Sequence, residues 1–140
     1  MAPSPSYCTL SGPYQLAAYT VNSGGNLTTT STYKNMPSVL VGGVTDYSMS
    51  PSGKFLAVGG SSGFEVFHFN GASPITKYTG LLTNNEVDQM FWDNANHVYA
   101  ISRTAGKLYV FTVTSTGVTQ APGSPHSIRN PSSIIVLPKT

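Results

Sequence analysis

One pattern recurs along this chain at a spacing too long for a single helix or hairpin and suited to a small sheet. Ala18-Tyr19-Thr20-Val21, Val66-Phe67-His68-Phe69 and Val110-Phe111-Thr112-Val113 align at spacings of 48 and 44 residues. The flanking segments keep the register. Ser48 to Val58 matches Met90 to Ala100 at a spacing of 42, and Ile135 to Pro138 restarts the pattern 87 residues after Ser48. A period of roughly 40 to 50 residues carrying about four strands is the signature of propeller blades.

Within each period the apolar residues alternate or cluster in fours and fives, and Gly, Pro or Asn-Gly interrupts every run that a helix would need. The chain therefore reads as all-β. Short runs rich in β-branched and aromatic residues predict strands at Gln15 to Val21, Lys54 to Val58, Phe64 to Phe69, His97 to Ile101, Lys107 to Val113 and Ser133 to Leu137. Between them, Asn22 to Asn26, Ser61 to Gly63, Asn70-Gly71 and Thr104 to Gly106 have the composition of hairpin turns. Each unit is expected to run inner strand, second strand, third strand, outer strand.

The chain thus predicts about three four-stranded antiparallel propeller blades in approximate units 7–51, 54–94 and 97–138. Tyr7 to Leu10 aligns with Phe55 to Val58, a second strand, whereas Ile134 to Pro138 aligns with an inner strand. That stagger predicts that the C-terminal strand completes the first blade, leaving no free sheet edge. Three blades alone are fewer than the usual four to eight. Additional blades from a longer chain, or self-association into a ring such as a six-bladed dimer, are the expected partners.

Composition narrows the function classes. Hydrophobic residues make up 39% but charged residues only 9%, against roughly 25% in an average domain, so solubility rests on Ser, Thr, Asn and Gly. Seven bases against five acids give a net charge of +2 without a basic run, which argues against nucleic acid as a partner. No stretch approaches the roughly 20 apolar residues of a membrane span, and the first residues lack the pattern of a signal peptide. Low charge and many small polar residues resemble exported bacterial surface proteins, with a periplasmic or surface location as the corresponding expectation. Cys8 is the single cysteine, which excludes an intrachain disulfide and a CxxC metal site. Asn26-Leu27-Thr28 has the form of a glycosylation sequon.

Ser50-Pro51-Ser52-Gly53-Lys54-Phe55-Leu56-Ala57-Val58, Val98 to Ser102 with Gly106 to Val113, and Gly123-Ser124-Pro125-His126 followed by Pro131 to Pro138 form a rhythm. It resembles that of the lactonase-like seven-bladed β-propeller family, whose members include 6-phosphogluconolactonase-like and YncE-like proteins. The resemblance implies the blade fold and covers most of the chain, most strongly from Thr45 onward. Enzymatic members carry an Arg-His pair just before an inner strand, near the channel mouth, where acidic and basic residues activate water and hold an anionic lactone. The aligned positions here are Thr45-Asp46, Val87-Asp88 and Ser132-Ser133, so the resemblance implies the fold more strongly than the chemistry.

Four residues are the candidate site. Asp46 and Asp88, 42 residues apart, open successive inner strands and would share one end of a channel, where two carboxylates can bind a cation or act as acid and base. The competing reading has them accept hydrogen bonds from turn backbone. His126 and Arg129, in the loop Gly123 to Asn130 on the same end, suit a small anionic or sugar-like ligand. Gly59-Gly60-Ser61-Ser62-Gly63 matches the G-x-S-x-G nucleophile elbow, but a strand follows it where the elbow needs a helix, so it reads as a hairpin turn. His68 and His97, without a Cys or acidic neighbour at metal-ligand spacing, read as structural. Asp93 to Asn96 reads as the turn equivalent to Pro51 to Gly53. Met49, Met90, Phe91 and Trp92 read as core. No cofactor or metal is implied. The expected function is a non-catalytic structural or ligand-binding module; the alternative is a lactone hydrolase sited at the channel mouth.

Overall fold

The computed structural model describes residues 16, 18–30, 35–71 and 73–137. The expected second strand at Tyr7 to Leu10, together with Cys8, Gln15 and Pro138, lies outside them. The described residues contain strands and turns and no helix. Eleven strands form three antiparallel groups.

The first group is a short hairpin of β1 (Thr20–Val21) and β2 (Leu27–Thr28). Its turn is closed as its composition predicts. Asn22 Oδ1 accepts the N–H groups of Gly24 and Asn26, while Gly25 takes the left-handed conformation.

The second group is a four-stranded meander, β3 (Val44–Met49), β4 (Phe55–Gly60), β5 (Gly63–His68) and β6 (Thr76–Lys77). The third repeats it with β7 (Gln89–Trp92), β8 (His97–Ser102), β9 (Lys107–Val113) and β10 (Val118–Gln120), and adds β11 (His126–Ser127) beside the start of β9. We call these the first and second sheets. Four strands match their expected runs to within two residues. The C-terminal run does not: 131–137 forms no ladder, and of the expected first run the strand β1 takes in Thr20 and Val21.

Alternation along these strands builds two apolar layers. Ala57, Phe64 and Val66 of the first sheet face Met90, Trp92, Val98, Ala100 and Phe111 of the second, all buried. On the opposite face of the first sheet, Val58 and Phe67 pack against Leu16, Ala18, Val39 and Val41. The units thus stack in chain order, hairpin segment, first sheet, second sheet. At about 1.5–3 kcal/mol for each large side chain removed from water, these layers dominate the stability of the stack.

Polar bonds set the register of the stack. Asp46 Oδ2 accepts the Met90 N–H at 2.6 Å, the Ser48 carbonyl accepts the Trp92 indole N–H at 2.9 Å, and the Thr45 hydroxyl donates to the Val87 carbonyl. The first strand of one sheet is therefore tied to the first strand of the next. The same tie recurs once more, since Gln89 Oε1 accepts the Ile134 N–H at 2.8 Å. Residues 131–137 consequently lie over the outer face of the second sheet, where the first strand of a further sheet would run. Among the described residues this segment contacts the second sheet and not the first unit, which it was expected to complete.

Candidate functional site

The recurring tie changes one equivalence read from the sequence. Asp46 in the first sheet does the work that Gln89, and not Asp88, does in the second. The one-residue offset arises at the first turn of each sheet. Gly53 and Asn96 hold the same left-handed position, but the Ser50 N–H closes on Phe55 O, five residues on, whereas the Asp93 N–H closes on His97 O, four residues on. A register taken from the strands after that turn misplaces the strand before it by one, and a slip of one exchanges the two faces.

The four candidate residues are thereby placed. Asp46 is half-buried on β3 with one oxygen engaged by Met90. Asp88 precedes β7, and its Oδ2 accepts the Arg103 N–H at 2.6 Å, bracing the β8–β9 turn. His126 is exposed on β11 opposite Leu108, and Arg129 is exposed in the turn that leads to Pro131. No hydrogen bond or ion pair joins any two of these four. Both carboxylates accept backbone N–H groups, Asp88 from the β8–β9 turn and Asp46 from β7. Ser61 likewise sits in the β4–β5 hairpin turn, where its hydroxyl accepts the Gly43 N–H at 3.0 Å.

Three polar features were not among the candidate site residues. Asp93 gathers a compact cluster. Its Oδ1 accepts the N–H groups of Ala95 and His97, and its Oδ2 lies 2.7 Å from His97 Nδ1 and 3.2 Å from the Tyr99 hydroxyl. Burial acts to raise the Asp93 pKa, but the His97 backbone and ring, the Ala95 N–H and the His97 charge outweigh it and hold the carboxyl below its ordinary value. Burial and the Asp93 charge push the Tyr99 hydroxyl up. His97 therefore has an acidic neighbour after all, supplied by the tight turn four residues back. Glu65 is the second feature. Fully buried on β5, it accepts the Leu40 N–H through Oε2 at 2.6 Å, while Oε1 has no hydrogen-bond partner and faces the half-exposed Lys77 ammonium at 3.5 Å. Its sequence signal was an acid two residues before Phe67, on the same strand face. The third is Gln89, legible only from the bond it makes.

Two of the expected core residues are corrected. Met90 and Trp92 are buried, but Met49 is 40% exposed and Phe91 half-buried. Met49 and Tyr47, the latter 56% exposed, occupy the β3 positions that Trp92 and Met90 hold in β7. Where the second sheet packs those side chains on β3, the described part of the hairpin segment provides no first strand for Tyr47 and Met49 to pack on.

The outer face of the second sheet carries an open groove of about 470 Å³ between Tyr99, Ile101 and Leu108 on one side and Ile128, Pro131 and the run from Ser133 to Leu137 on the other. Tyr99 joins the groove to the Asp93–His97 cluster, so an aliphatic trough ends in a polar rim. Within that wall Ile135 and Leu137 remain 75% and 85% exposed. No group of three or more metal-ligating side chains occurs among the described residues, and none of their segments is a helix long and apolar enough to cross a membrane.

Comparison with family models, curated proteins and solved structures finds no match. The geometry above therefore carries the functional reading.

Proposed function

We propose that the chain is a section of a lactonase-like β-propeller that works as a non-catalytic scaffold, presenting sheet faces and the ends of its first strands as binding surface. The observation that carries this reading is the repeated tie between first strands. Asp46 to Met90 and Gln89 to Ile134 are one interaction used twice, and in the first case it consumes a carboxylate oxygen that a channel-mouth catalyst would need free. Asp88 is committed differently, to the Arg103 N–H in the β8–β9 turn of its own sheet. Asp46 and Gln89 thus serve the stacking of blades, and a blade stack needs such ties because apolar layers alone do not set register.

The test is hydrolysis of a sugar lactone followed by proton release. The chain and its Asp46→Ala and Asp88→Ala variants are expected to leave the uncatalysed rate unchanged, while Asp46→Ala loses about 1–3 kcal/mol of stability because the Met90 N–H is left unpaired. Robust turnover by the wild type that disappears in Asp88→Ala with the fold intact would replace the scaffold by a lactone hydrolase.

A further inference from the structure

Charge is unevenly spread along the chain. All five acids, Asp46, Glu65, Glu86, Asp88 and Asp93, precede residue 94, whereas residues 94–140 hold Arg103, Lys107, Arg129 and Lys139 and no acid. The fold gathers three of these cations at one end of the second sheet. Arg103 lies in the β8–β9 turn, and its Nε donates to the Pro131 carbonyl at 3.3 Å, two residues along the chain from Arg129. Lys107 opens β9, and its ammonium donates to the Ser127 hydroxyl at 3.0 Å. The Ile128 N–H donates to the Gly106 carbonyl at 2.9 Å, which holds the turn against the segment that carries Arg129. Arg103 and Arg129 are exposed and Lys107 is half-buried. None of the three forms an ion pair among the described residues, where Asp88, bonded to the Arg103 N–H, is the one carboxylate tied to this end. The cations stand where the ladder stops, not on the faces by which sheets stack, so a sheet packed on either face would leave them open.

We infer that this end of the second sheet binds an acidic polysaccharide of the polyuronate kind, a polymer with one carboxylate on each sugar and hydroxyls between. The inference rests on the scaffold reading above and names a partner for it. Arg103, Lys107 and Arg129 supply separated positive charges that no carboxylate of the described residues neutralises, so each is open to a carboxylate of the polymer. Among them stand Thr104, Ser127 and Asn130, exposed and neutral, whose side chains exchange hydrogen bonds with sugar hydroxyls. Neither 103–107 nor 126–133 holds a Phe, Tyr or Trp, so the surface lacks the platforms on which the bases of a single-stranded nucleic acid stack. Exposed charges of this kind act weakly one by one and are screened by salt. Affinity therefore comes from several sugars engaged at once and grows with the length of the polymer.

The experiment is biolayer interferometry of the whole chain on immobilised polygalacturonate, with neutral dextran and inorganic polyphosphate as parallel surfaces. Binding to polygalacturonate is expected, falling about tenfold or more as sodium chloride rises from about 50 to about 300 mM. Dextran should bind nothing, and polyphosphate less tightly than polygalacturonate. Lys107→Gln and Arg129→Gln are each expected to weaken the polygalacturonate contact about threefold, and together about tenfold. Lys54→Gln removes the same charge at the opposite end of the first sheet, in the β3–β4 turn, and should leave binding unchanged. Circular dichroism checks that each variant keeps the wild-type strand spectrum. Three results overturn the inference: no binding to polygalacturonate, an equal loss in Lys54→Gln, which would make net charge the cause, or polyphosphate bound as tightly or more so, which would make the partner a phosphate polymer. Each of them leaves the lactone assay untouched and so is distinct from failure of the scaffold reading.

Discussion

Gly63 opens β5 at φ 135°, and a Cβ built there would lie 2.1 Å from the Thr83 carbonyl oxygen. Backbone cannot retreat as a flexible side chain can, so Gly63→Ala is expected to cost about 2 kcal/mol or more through strain and displacement. Gly80, where an added Cβ meets nothing within 4 Å, is the control; Gly80→Ala stays within about 0.5 kcal/mol. Urea unfolding of both variants checks the contrast. Asp93 makes a pH-dependent prediction at the same scale. Its folded pKa is lowered, so the folded state binds fewer protons there than the unfolded chain. The resulting stability is fully present above the ordinary aspartate value and is lost as pH falls through the folded one. Melting temperature should therefore decline more shallowly below about pH 4 in Asp93→Asn than in wild type. Equal slopes would remove Asp93 from the acid limb.

At the scale of the element, the tie between Gln89 and Ile134 is the one polar bond that joins the 131–137 segment to β7 among the described residues. Gln89→Ala removes the acceptor while leaving the β7–β8 ladder intact, so the Ile134 amide should exchange at least tenfold faster, as loss of about 1.4 kcal/mol of local protection requires. The amides of β8 and β9 should keep their wild-type rates. Hydrogen exchange read residue by residue makes the comparison, and unchanged exchange at Ile134 would mean that the aliphatic contacts in the groove hold the segment without the bond. Several elements were legible beforehand because their residues carry both signals a strand needs. Lys107–Val113 is an almost continuous run of aliphatic, aromatic and β-branched residues and ends at turn residues on both sides. Ser133 to Leu137 has the same local preference but no neighbouring strand among the described residues to pair with, and propensity without a partner does not make a ladder.

For the whole molecule, the layer between the sheets makes them one cooperative unit. Phe64 meets Phe111 edge to face with ring centroids 5.4 Å apart, and the indole of Trp92 reaches across to Ser48. Phe64→Ala, made in the first sheet, is expected to cost about 3–5 kcal/mol. Trp92, the only tryptophan, sits in the second sheet, so its fluorescence and the far-ultraviolet strand signal should shift together in one transition. Two separated transitions would show that the sheets unfold independently.

The sequence by itself determined the all-β class, the spacing of the repeats, most strand positions and the hairpin nature of the Gly59 to Gly63 segment, because period-two alternation and turn chemistry are local properties of the chain. It also placed Asp93 to Asn96 as the partner of the Pro51 to Gly53 turn, and in the structure Asn96 and Gly53 both take the left-handed backbone. Only the tertiary structure decided that Gln89 and not Asp88 is the counterpart of Asp46, that Glu65 is buried beneath Leu40, that His97 meets Asp93, and that the C-terminal run lies on the second sheet. Those outcomes depend on which face a residue turns to its neighbour. A single residue gained or lost in a turn reverses that face, and only the packed sheets show where the chain has taken up the difference.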